Sequence, residues 1–321
     1  MASTQTDPLA AAHRTLLEGC GVLDRSERGK LALSGDDAVD FLNGQVTNEL
    51  IDLGPGEGLY AAFLTHKGKM LGDLRILRSD ESELLLDTER VALQTLFDMI
   101  RRYRVGYRVE LHKRTLERGL VSLVGPDAVT VAGASGLPPE EHANVPLSID
   151  GVEALAVRTD VGVDLVFDSA DTERLLAALR ARGAVAVEEE AVECLRIEHG
   201  RPRFGLDIDE TVIPQEAGLN ERAVSFTKGC YVGQETVARL FYRGKPNRHL
   251  RGLCLSAPAA HGDVLTLGER EVGRVGSSVV SPRLGPIALA LMRREAEPGT
   301  TVRVGEGDTE AKVVELPFTG A

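Results

Sequence analysis

From residue 248 onward the sequence contains no segment with the apolar periodicity of an amphipathic helix. Short apolar runs alternate there with turns rich in glycine and proline. The runs are 250–255, 263–267, 271–280, 286–292 and 300–304. Short strands between regularly spaced turns are typical of small barrels and sandwiches. Residues 246–321 are therefore predicted to form a carboxyl-terminal β domain of one of these two kinds.

The segment before this region mixes strand and helix signals. Two apolar runs flank residues 66–69, whose glycine suits the positive φ of a tight turn, so they predict a β-hairpin. Asp36 is placed as the N-cap of a short helix that ends at Gly44. A second helix is predicted to begin at Thr88 and to run to about Arg102, because apolar residues recur there at helical spacing.

The pattern of apolar residues changes over residues 115–187. The strand-like runs RGLVSLVG, VEALAVRT and GVDLVF surround a loop near 133–147, and leucines on one face predict a helix over 171–182. This set of elements suits a small α+β unit. A further helix is predicted over 188–199, where glutamates at the start interact favourably with the helix dipole.

Length and composition limit the class of protein. A chain of 321 residues is long for one hydrophobic core, so two or three domains are expected. Its 43% hydrophobic and 27% charged residues are typical of a globular protein. The apolar runs are shorter than the roughly 20 residues that a membrane helix needs. The amino terminus lacks the basic start and apolar segment of a signal peptide, so no membrane association is expected.

The cysteines and histidines are scattered along the chain. Cys20, Cys194, Cys230 and Cys254 lie far apart without a CxxC pair, and the histidines form no HExxH motif. These spacings argue against a disulfide framework and against a self-contained zinc or iron–sulfur site, so no metal ligands are predicted. Cysteines without a disulfide pattern favour a reducing cytoplasm as the location.

The net charge of −12 is unevenly distributed. Residues 99–114 and 222–251 are rich in arginine and lysine. Such segments can be solvated faces, or they can form a local site for a polyanion of modest size. Nucleic-acid binding is disfavoured because the acidic remainder would repel phosphates, and because the chain has no tryptophan and only 4% aromatic residues.

The stretch SFTKGCYVGQETVAR, residues 225–239, surrounds a cysteine with small and polar neighbours. If its first half is extended, Lys228 and Cys230 share a face, since side chains alternate along a strand. The ammonium and a helix starting near Val232 would then lower the pKa of the thiol. The glycines of the stretch would let a ligand approach the backbone. The stretch can also be a tight loop with a half-buried thiol.

The motif KGCYVGQE, preceded by PQEAGL and AVSF, resembles the signature of the YgfZ family of folate-binding proteins. That family helps to maintain iron–sulfur enzymes and is related to the aminomethyltransferase of glycine cleavage. GKLALSGDDAVDFLNGQVTNEL, HKGKMLGDLRILR and LRIEHGRPRFGLDIDETVIPQEAGL are similar to segments of both groups. The resemblance covers most of 20–250 and is weaker over 115–185 and beyond 250.

The resemblance implies an α+β fold in which three domains form a ring around a channel for tetrahydrofolate, with a small carboxyl-terminal β-barrel. A discontinuous folate-binding core would comprise 20–114 and 188–245, a small α+β domain 115–187, and the barrel 246–321. The implied partners are folate and iron–sulfur client enzymes or assembly proteins.

The resemblance can be carried over residue by residue. The positions that match the YgfZ signature are Lys228, Gly229, Cys230, Tyr231, Gly233, Gln234 and Glu235. Aminomethyltransferases have an acidic pair after the hairpin turn, where an aspartate acts in catalysis, and a Gly-Glu element that holds the pterin. Here the first place has a single acid, Asp73, and the second reads TDVGVD over 159–164. Both departures disfavour methylene transfer from an aminomethyl-lipoyl partner.

A folate channel needs different side chains at the two ends of the ligand. A carboxylate or amide must face the amino edge of the pterin, and the candidates are Asp73, Gln215 and Glu216. The glutamate tail needs a cation, and the candidates are Arg101, Arg239 and Arg243, with Arg196 able to serve either end. Each of these side chains can instead belong to a surface or structural ion pair.

The favoured hypothesis is a tetrahydrofolate-binding accessory protein for the assembly or repair of iron–sulfur proteins, in which Cys230 is the functional thiol, shielded in the channel beside the bound folate. One cysteine cannot hold a cluster alone, so Cys230 would bind a cluster corner transiently, relay sulfur or reduce a partner. The alternative is a tetrahydrofolate-dependent aminomethyl or methyl transferase with Asp73 as its acid–base group. An RNA-binding adaptor that uses the basic segments is the third hypothesis.

Overall fold

The computed structural model describes residues 7–318 and divides their strands among three sheets. The strands are β1 Gly21–Asp24, β2 Gly29–Ser34, β3 Glu57–Leu64, β4 Met70–Arg78, β5 Glu83–Thr88, β6 Glu110–Lys113, β7 Arg118–Val124, β8 Asn144–Ile149, β9 Val152–Thr159, β10 Gly162–Asp168, β11 Val185–Ala186, β12 Arg248–Leu255, β13 Val264–Leu267, β14 Arg270–Ser281, β15 Gly285–Arg293, β16 Thr301–Val304 and β17 Glu310–Val314. The helices are α1 Pro8–Glu18, α2 Ala38–Asn43, α3 Leu93–Tyr103, α4 Ala128–Ala132, α5 Thr172–Ala181, α6 Glu189–Glu198, α7 Asn220–Ala223 and α8 Gln234–Arg243.

The first sheet, which we call the core sheet, has the strand order β3-β4-β5-β2-β6 and is antiparallel throughout. One apolar cluster joins this sheet to α2 and α3 and to the segment 204–226. Phe41, Phe63 and Leu96 are fully buried in it. Burial of such side chains is the main stabilising contribution to this part of the fold.

The second sheet, the middle sheet, has the order β11-β1-β7-β10-β9-β8 and is antiparallel except where β1 pairs with β11. Helices α4 and α5 pack against it in a second apolar cluster. The middle sheet also contacts the core sheet, because Leu77 and Leu85 of the core sheet pack with Leu120 and Val157 of the middle sheet. The two sheets therefore share a buried interface.

The third sheet is a closed barrel with the order β12-β15-β14-β13-β16-β17. Of the barrel and the sandwich that turn spacing left open for the carboxyl-terminal region, the structure has the barrel, as the resemblance implies. Strand β17, which was not predicted, closes the barrel by pairing with both β12 and β16. Helix α6 connects the parts of the molecule, because Leu195 packs with Leu16 of α1 while Ile197 packs with Leu289 of the barrel.

The predicted hairpin is confirmed, with Gly68 at a φ of +77° in its turn. The predicted helix start at Thr88 is wrong, because Thr88 ends β5 and the helix begins at Leu93. Thr88 pairs with Gly29 of β2, and its hydroxyl donates to the backbone carbonyl of Asp73 at 2.5 Å instead of capping the helix. Asp37 rather than Asp36 precedes α2, and its carboxylate binds Arg108 instead of capping the helix.

The amino terminus and the domain bounds are the two predictions that the described residues leave open. The amino-terminal segment that was read for a signal peptide begins outside the described residues. Within residues 7–318, no helix is both long and apolar enough to cross a membrane. The domain bounds 20–114 with 188–245, 115–187 and 246–321 stay a prediction, although Gly21–Asp24 pairs within the middle sheet.

Candidate functional site

A cavity lies where the core sheet, the middle sheet and α6 meet, and we call it the central cavity. It contains about 1180 Å³ of space, its open mouth included. Strands β3 and β4 contribute Tyr60 and Asp73, β10 contributes Asp164, and α6 contributes Leu195. A mainly polar wall with a few apolar side chains is suited to an organic ligand that carries polar groups.

Asp73 and Tyr60 form a hydrogen-bonded pair inside this cavity. Tyr60 Oη donates to Asp73 Oδ2 at 2.6 Å. Burial raises the pKa of Asp73 to about 6, although the hydrogen bond from Tyr60 opposes that effect. Burial and the neighbouring carboxylate raise the pKa of Tyr60 well above its usual value. Asp73 can therefore gain or lose a proton near neutral pH, while Tyr60 remains a donor.

A buried chain of ion pairs lines the cavity beside Asp73. Arg75 Nη1 donates to Asp164 Oδ2 at 2.6 Å, and Arg75 Nε donates to Asp87 Oδ2 at 2.6 Å. Arg28 Nε donates to the other oxygen of Asp87 at 2.9 Å. Burial alone would raise the pKa of Asp87, but the two guanidinium groups outweigh it and hold it at about 2. These charges are fixed by their pairing, whereas Asp73 pairs with a phenol and can change its charge.

A second group of cations surrounds Glu141. Arg222 Nη2 donates to Glu141 Oε1 at 2.7 Å, and its guanidinium lies 5.0 Å from the centre of the Tyr60 ring. Arg201 Nε lies 3.1 Å from Asp160 Oδ2. Arg201 Nη1 and Arg222 Nε are buried without a hydrogen-bond partner among the described residues. A buried donor without an acceptor costs free energy, so a ligand that offers these two nitrogens a carbonyl or carboxylate oxygen would remove that cost.

His142 adds a neutral imidazole to the lining. Its side chain is buried, and its Nδ1 has no partner within residues 7–318. Burial and the nearby Arg75 lower the pKa of His142 to about 4, so the ring is uncharged at neutral pH. Its backbone has a φ of +74°, which is uncommon outside glycine and is more frequent at functional sites.

A second cavity adjoins the central one and shares residues with it, among them Arg201. Gln215 and Glu216 line this second cavity on the side of the barrel. Gln215 Nε2 donates to the carbonyl of Val237 at 2.8 Å, and Glu216 Oε2 accepts from Arg248 Nη2 at 2.8 Å. These two candidates for the pterin edge are therefore held outside the lining of the central cavity.

Lys228 of the KGCYVGQE motif anchors a loop. Its side chain is buried, and its Nζ donates to three backbone carbonyls at the end of α2. These belong to Asn43 at 2.7 Å, Val46 at 2.9 Å and Asn48 at 2.6 Å. Burial lowers the pKa of Lys228 to about 8. Cys230 is exposed, so the expected shared face of ammonium and thiol is not formed. The expectation that Cys230 is shielded in the channel is also wrong, because this exposed thiol lies outside the lining of the central cavity.

The motif also shapes the start of α8. Gly233 has a φ of +86°, and a Cβ there would lie 2.6 Å from the carbonyl oxygen of Thr65 in the hairpin turn. Only glycine lets these two backbone segments approach so closely. Tyr231 is buried, and its ring centre lies 5.2 Å from Lys228 Nζ. Helix α8 begins at Gln234 rather than near Val232.

The remaining motif residues are directed to the surface. Gly229 has no atom within 4 Å of the position that a Cβ would take. Gln234 Nε2 lies 3.5 Å from the carbonyl oxygen of Gly229. Glu235 and Arg239 form an ion pair in which both side chains are exposed. The motif residues lie outside the lining of the central cavity.

Of the predicted site residues, Asp73 and Arg196 line the central cavity. The guanidinium of Arg196 is already engaged, because it lies 2.8 Å from Glu193 Oε2 and 2.8 Å from Asp207 Oδ2. Arg101 and Arg243, the other candidates for a ligand tail, lie on α3 and α8 and outside this lining. The cations that line it in their place are Arg28, Arg75, Arg201, Arg203 and Arg222, beside Arg25 and Arg196.

Sequence reasoning missed Tyr60, His142, Arg201 and Arg222. A signal for Tyr60 was present, because the hairpin register pairs Asp73 with Ala62, two residues from Tyr60 on the same strand. Side chains two apart share a face, so the turn alone would have placed the phenol near the carboxylate. The other three residues reach the cavity through tertiary packing, and their local sequence contains no comparable signal.

Two family models match the chain. The model described as the GCVT N-terminal domain matches residues 2–228, and the one described as the glycine cleavage T-protein C-terminal barrel domain matches residues 248–319.

Similar proteins cover nearly all of the chain. It is 30% identical to a putative chloroplastic transferase of Arabidopsis thaliana, over 94% of this chain and 71% of that protein. It is also 30% identical to the aminomethyltransferase of Streptomyces avermitilis, over 95% of this chain and 88% of the relative.

A solved structure is similar over most of its length. The glycine cleavage system aminomethyltransferase T from Bartonella henselae superimposes with a TM-score of 0.86 at 25% identity, over 97% of this chain and 89% of that one. The predicted α+β fold of the aminomethyltransferase type, with a carboxyl-terminal barrel, is thereby confirmed.

Proposed function

The chain belongs to the glycine cleavage T-protein family, and from this premise we propose that its central cavity binds a tetrahydrofolate. The observation that carries the proposal is the Asp73–Tyr60 pair, a carboxyl with a pKa of about 6 in contact with a phenol inside the central cavity. A carboxyl of this kind can bind the polar edge of a heterocycle and exchange a proton with it.

The lining fits the chemistry of a folate. Asp73 and Asp160 offer carboxylates to an amino-pyrimidine edge, while Leu195 and Phe204 offer apolar surface to the benzoyl part. Arg222, with its unmet Nε donor, would meet a carboxylate of the glutamate tail. Tetrahydrofolate supplies a carrier of one-carbon units, and these residues would bind and orient it.

For the finer function, we infer an accessory role for iron–sulfur proteins, as in the YgfZ family, with Cys230 as the functional thiol. The KGCYVGQE motif supports this inference, and so does the exposure of the thiol. Because Cys230 lies outside the lining of the central cavity, its reaction partner would be a protein surface rather than the bound folate.

The surroundings of Cys230 suit such a partner. Phe226, in the same loop, stacks on Phe241 of α8 with ring centres 3.7 Å apart. Phe241 and Tyr242 are 48% and 66% exposed, and Arg243 follows them. Exposed aromatic rings and arginine are enriched at the centres of protein interfaces. Client enzymes or assembly proteins of the iron–sulfur kind would dock here.

The alternative is a tetrahydrofolate-dependent aminomethyl or methyl transferase. Asp73 supports it, because a carboxyl with a pKa near 6 is well placed to move a proton at neutral pH. The names of the relatives also favour it. In this case Cys230 would be dispensable and Asp73 essential.

The first experiment is a calorimetric titration of the protein with tetrahydrofolate and its one-carbon derivatives. Wild type, Asp73→Asn and Cys230→Ala would be compared, with Cys254→Ala as a control at another exposed cysteine. We expect wild-type affinity in both cysteine variants and weaker binding in Asp73→Asn. A wild-type protein that binds none of these folates would refute the proposal.

The second experiment separates the two finer functions. The same variants would be expressed in cells that lack the gene, and the activity of endogenous iron–sulfur enzymes would be measured. Failure of Cys230→Ala alone supports the accessory role. The transferase is supported if Asp73→Asn alone fails to restore the activity of these enzymes and if the protein transfers a methylene or methyl group from a donor to tetrahydrofolate in vitro.

A further inference from the structure

A compact cluster of polar side chains is buried at the junction of α1, α6 and the barrel. His13 of α1 is 3% exposed, and Cys194 and Glu198 of α6 are 0% exposed. Ser281 of β14 and Arg283 complete the cluster by binding the carboxylate of Glu198. None of these residues lines the central cavity, so the proposed function makes no use of them.

Three potential metal-ligand atoms converge in this cluster. His13 Nε2 lies 3.1 Å from Glu198 Oε1, and Cys194 Sγ lies 3.7 Å from the same oxygen. All three atoms are within 4.8 Å of one another. Zinc bonds of about 2.0–2.3 Å in a tetrahedron place neighbouring ligand atoms about 3.2–3.8 Å apart. The distance of 3.7 Å falls within this range, and the distance of 3.1 Å lies just below it.

The elements hold these side chains in place without the metal. Cys194 and Glu198 lie four residues apart in α6, so they project from one face of the helix. Arg283 Nη2 donates to Glu198 Oε2 at 3.1 Å. The other oxygen, Oε1, accepts from Ser281 Oγ at 2.5 Å and also faces Cys194 and His13. An outer hydrogen bond that orients a ligating carboxylate is typical of protein metal sites.

A catalytic use of Cys194 does not fit the same geometry. The thiol is fully buried, and it contacts the carboxylate rather than the imidazole. A nucleophilic cysteine needs an accessible sulfur and a base within hydrogen-bond reach. A structural metal needs neither, because closed zinc sites are shielded from solvent.

We propose that His13 Nε2, Cys194 Sγ and Glu198 Oε1 bind a divalent cation of the zinc type, with Ser281 Oγ or a water as the fourth ligand. On binding, the thiol of Cys194 releases its proton to the solvent, and the ring proton of His13 resides on Nδ1. The ion would fasten α1 to α6 and to the barrel. Its ligands come from distant parts of the chain, which is why residue spacing does not reveal the site.

The test uses the full-length protein without an affinity tag. After removal of metal with a chelator, the protein would be titrated with Co²⁺, which absorbs in the near ultraviolet when it is bound by a thiolate. We expect saturation at a single equivalent, loss of the band in Cys194→Ser, and an unchanged band in Cys20→Ser, a control at another buried cysteine. A wild type without the band, or a band that survives in Cys194→Ser, would overturn the proposal.

A measurement on the wild type alone covers the case in which Cys194→Ser fails to fold. X-ray absorption of the zinc-loaded protein should show one sulfur and otherwise nitrogen or oxygen neighbours. The melting temperature should fall when the zinc is removed and recover when it is restored. A spectrum without a sulfur neighbour would mean that any zinc binds elsewhere, and the proposal would fail.

Discussion

The Tyr60 phenol donates a 2.6 Å hydrogen bond to the Asp73 carboxylate across neighbouring strands of the core sheet. Both side chains line the central cavity. It stabilises the charged form of a carboxylate whose burial favours the neutral form. The balance of the two effects sets the proton affinity of Asp73.

Tyr60→Phe should therefore raise the pKa of Asp73 further above its value of about 6. Loss of one hydrogen bond to a charged acceptor corresponds to a change of about one pKa unit. The measurement is an NMR titration of the aspartate carboxyls, with Tyr103→Phe as a control because Tyr103 is exposed. An unchanged or lower pKa in Tyr60→Phe would show that the phenol does not stabilise the carboxylate.

Asp73→Asn should increase stability at alkaline pH. The pKa of Asp73 is 3.8 when unperturbed and about 6 in the folded chain, so between these values the folded protein binds the extra proton. The contribution of this carboxyl to stability is thus full at low pH and is lost as the pH rises through about 6. We expect the variant to exceed wild type by on the order of 2 kcal/mol at pH 8 and to equal it near pH 4, measured by urea unfolding.

Asp87→Asn is the matched control for this prediction. The pKa of Asp87 is held at about 2, and its removal leaves Arg28 and Arg75 without a shared partner in a buried place. Breaking a buried pair in this way costs about 3–5 kcal/mol at neutral pH. At pH 8 the free energy of unfolding should therefore rise in Asp73→Asn and fall in Asp87→Asn. Changes in the same direction would contradict the assignment of the two charges.

The elements that could be predicted from the sequence are those whose signal is local. The turn at Gly68 and five of the barrel strands follow from turn residues and alternation over short runs. The helix start at Thr88 is wrong because threonine is a common N-cap residue, whereas here it pairs with Gly29 at the end of β5, and only the folded chain brings these two strands together. Propensity is a weak guide wherever tertiary pairing decides.

The residues of the candidate site also differ in whether a local sequence signal indicates them. Asp73 could be predicted because it lies just after the turn of a recognisable hairpin. The strand register of that hairpin would also have indicated Tyr60 as its neighbour. Arg222 and His142 reach the cavity from segments that are remote in sequence, so no spacing indicates them. In the motif around Cys230, alternation along a strand predicts that Lys228 lies beside the thiol, whereas the loop turns Lys228 inward and leaves Cys230 exposed.

Lys228→Met should destabilise the protein strongly. Its Nζ satisfies the carbonyls of Asn43, Val46 and Asn48, which methionine cannot do. Each buried acceptor left without a donor costs about 1–3 kcal/mol, so the expected loss is at least about 3 kcal/mol. Chemical unfolding followed by circular dichroism would measure it. Lys245→Met, at an exposed lysine, should stay within about 0.5 kcal/mol of wild type.

Gly233→Ala should separate the hairpin turn from α8. At a φ of +86° an L-residue is strained, and the added Cβ would lie 2.6 Å from the carbonyl oxygen of Thr65. Strain of this kind costs on the order of 1–3 kcal/mol, and the clash with backbone adds to it. Gly229→Ala is the control, because it belongs to the same motif but has open space around its Cβ position. If both variants unfold at the same denaturant concentration as wild type, the close approach of the two backbone segments does not stabilise the fold. If only Gly233→Ala is destabilised and folate affinity persists in it, the motif supports the loop of Cys230 rather than the cavity.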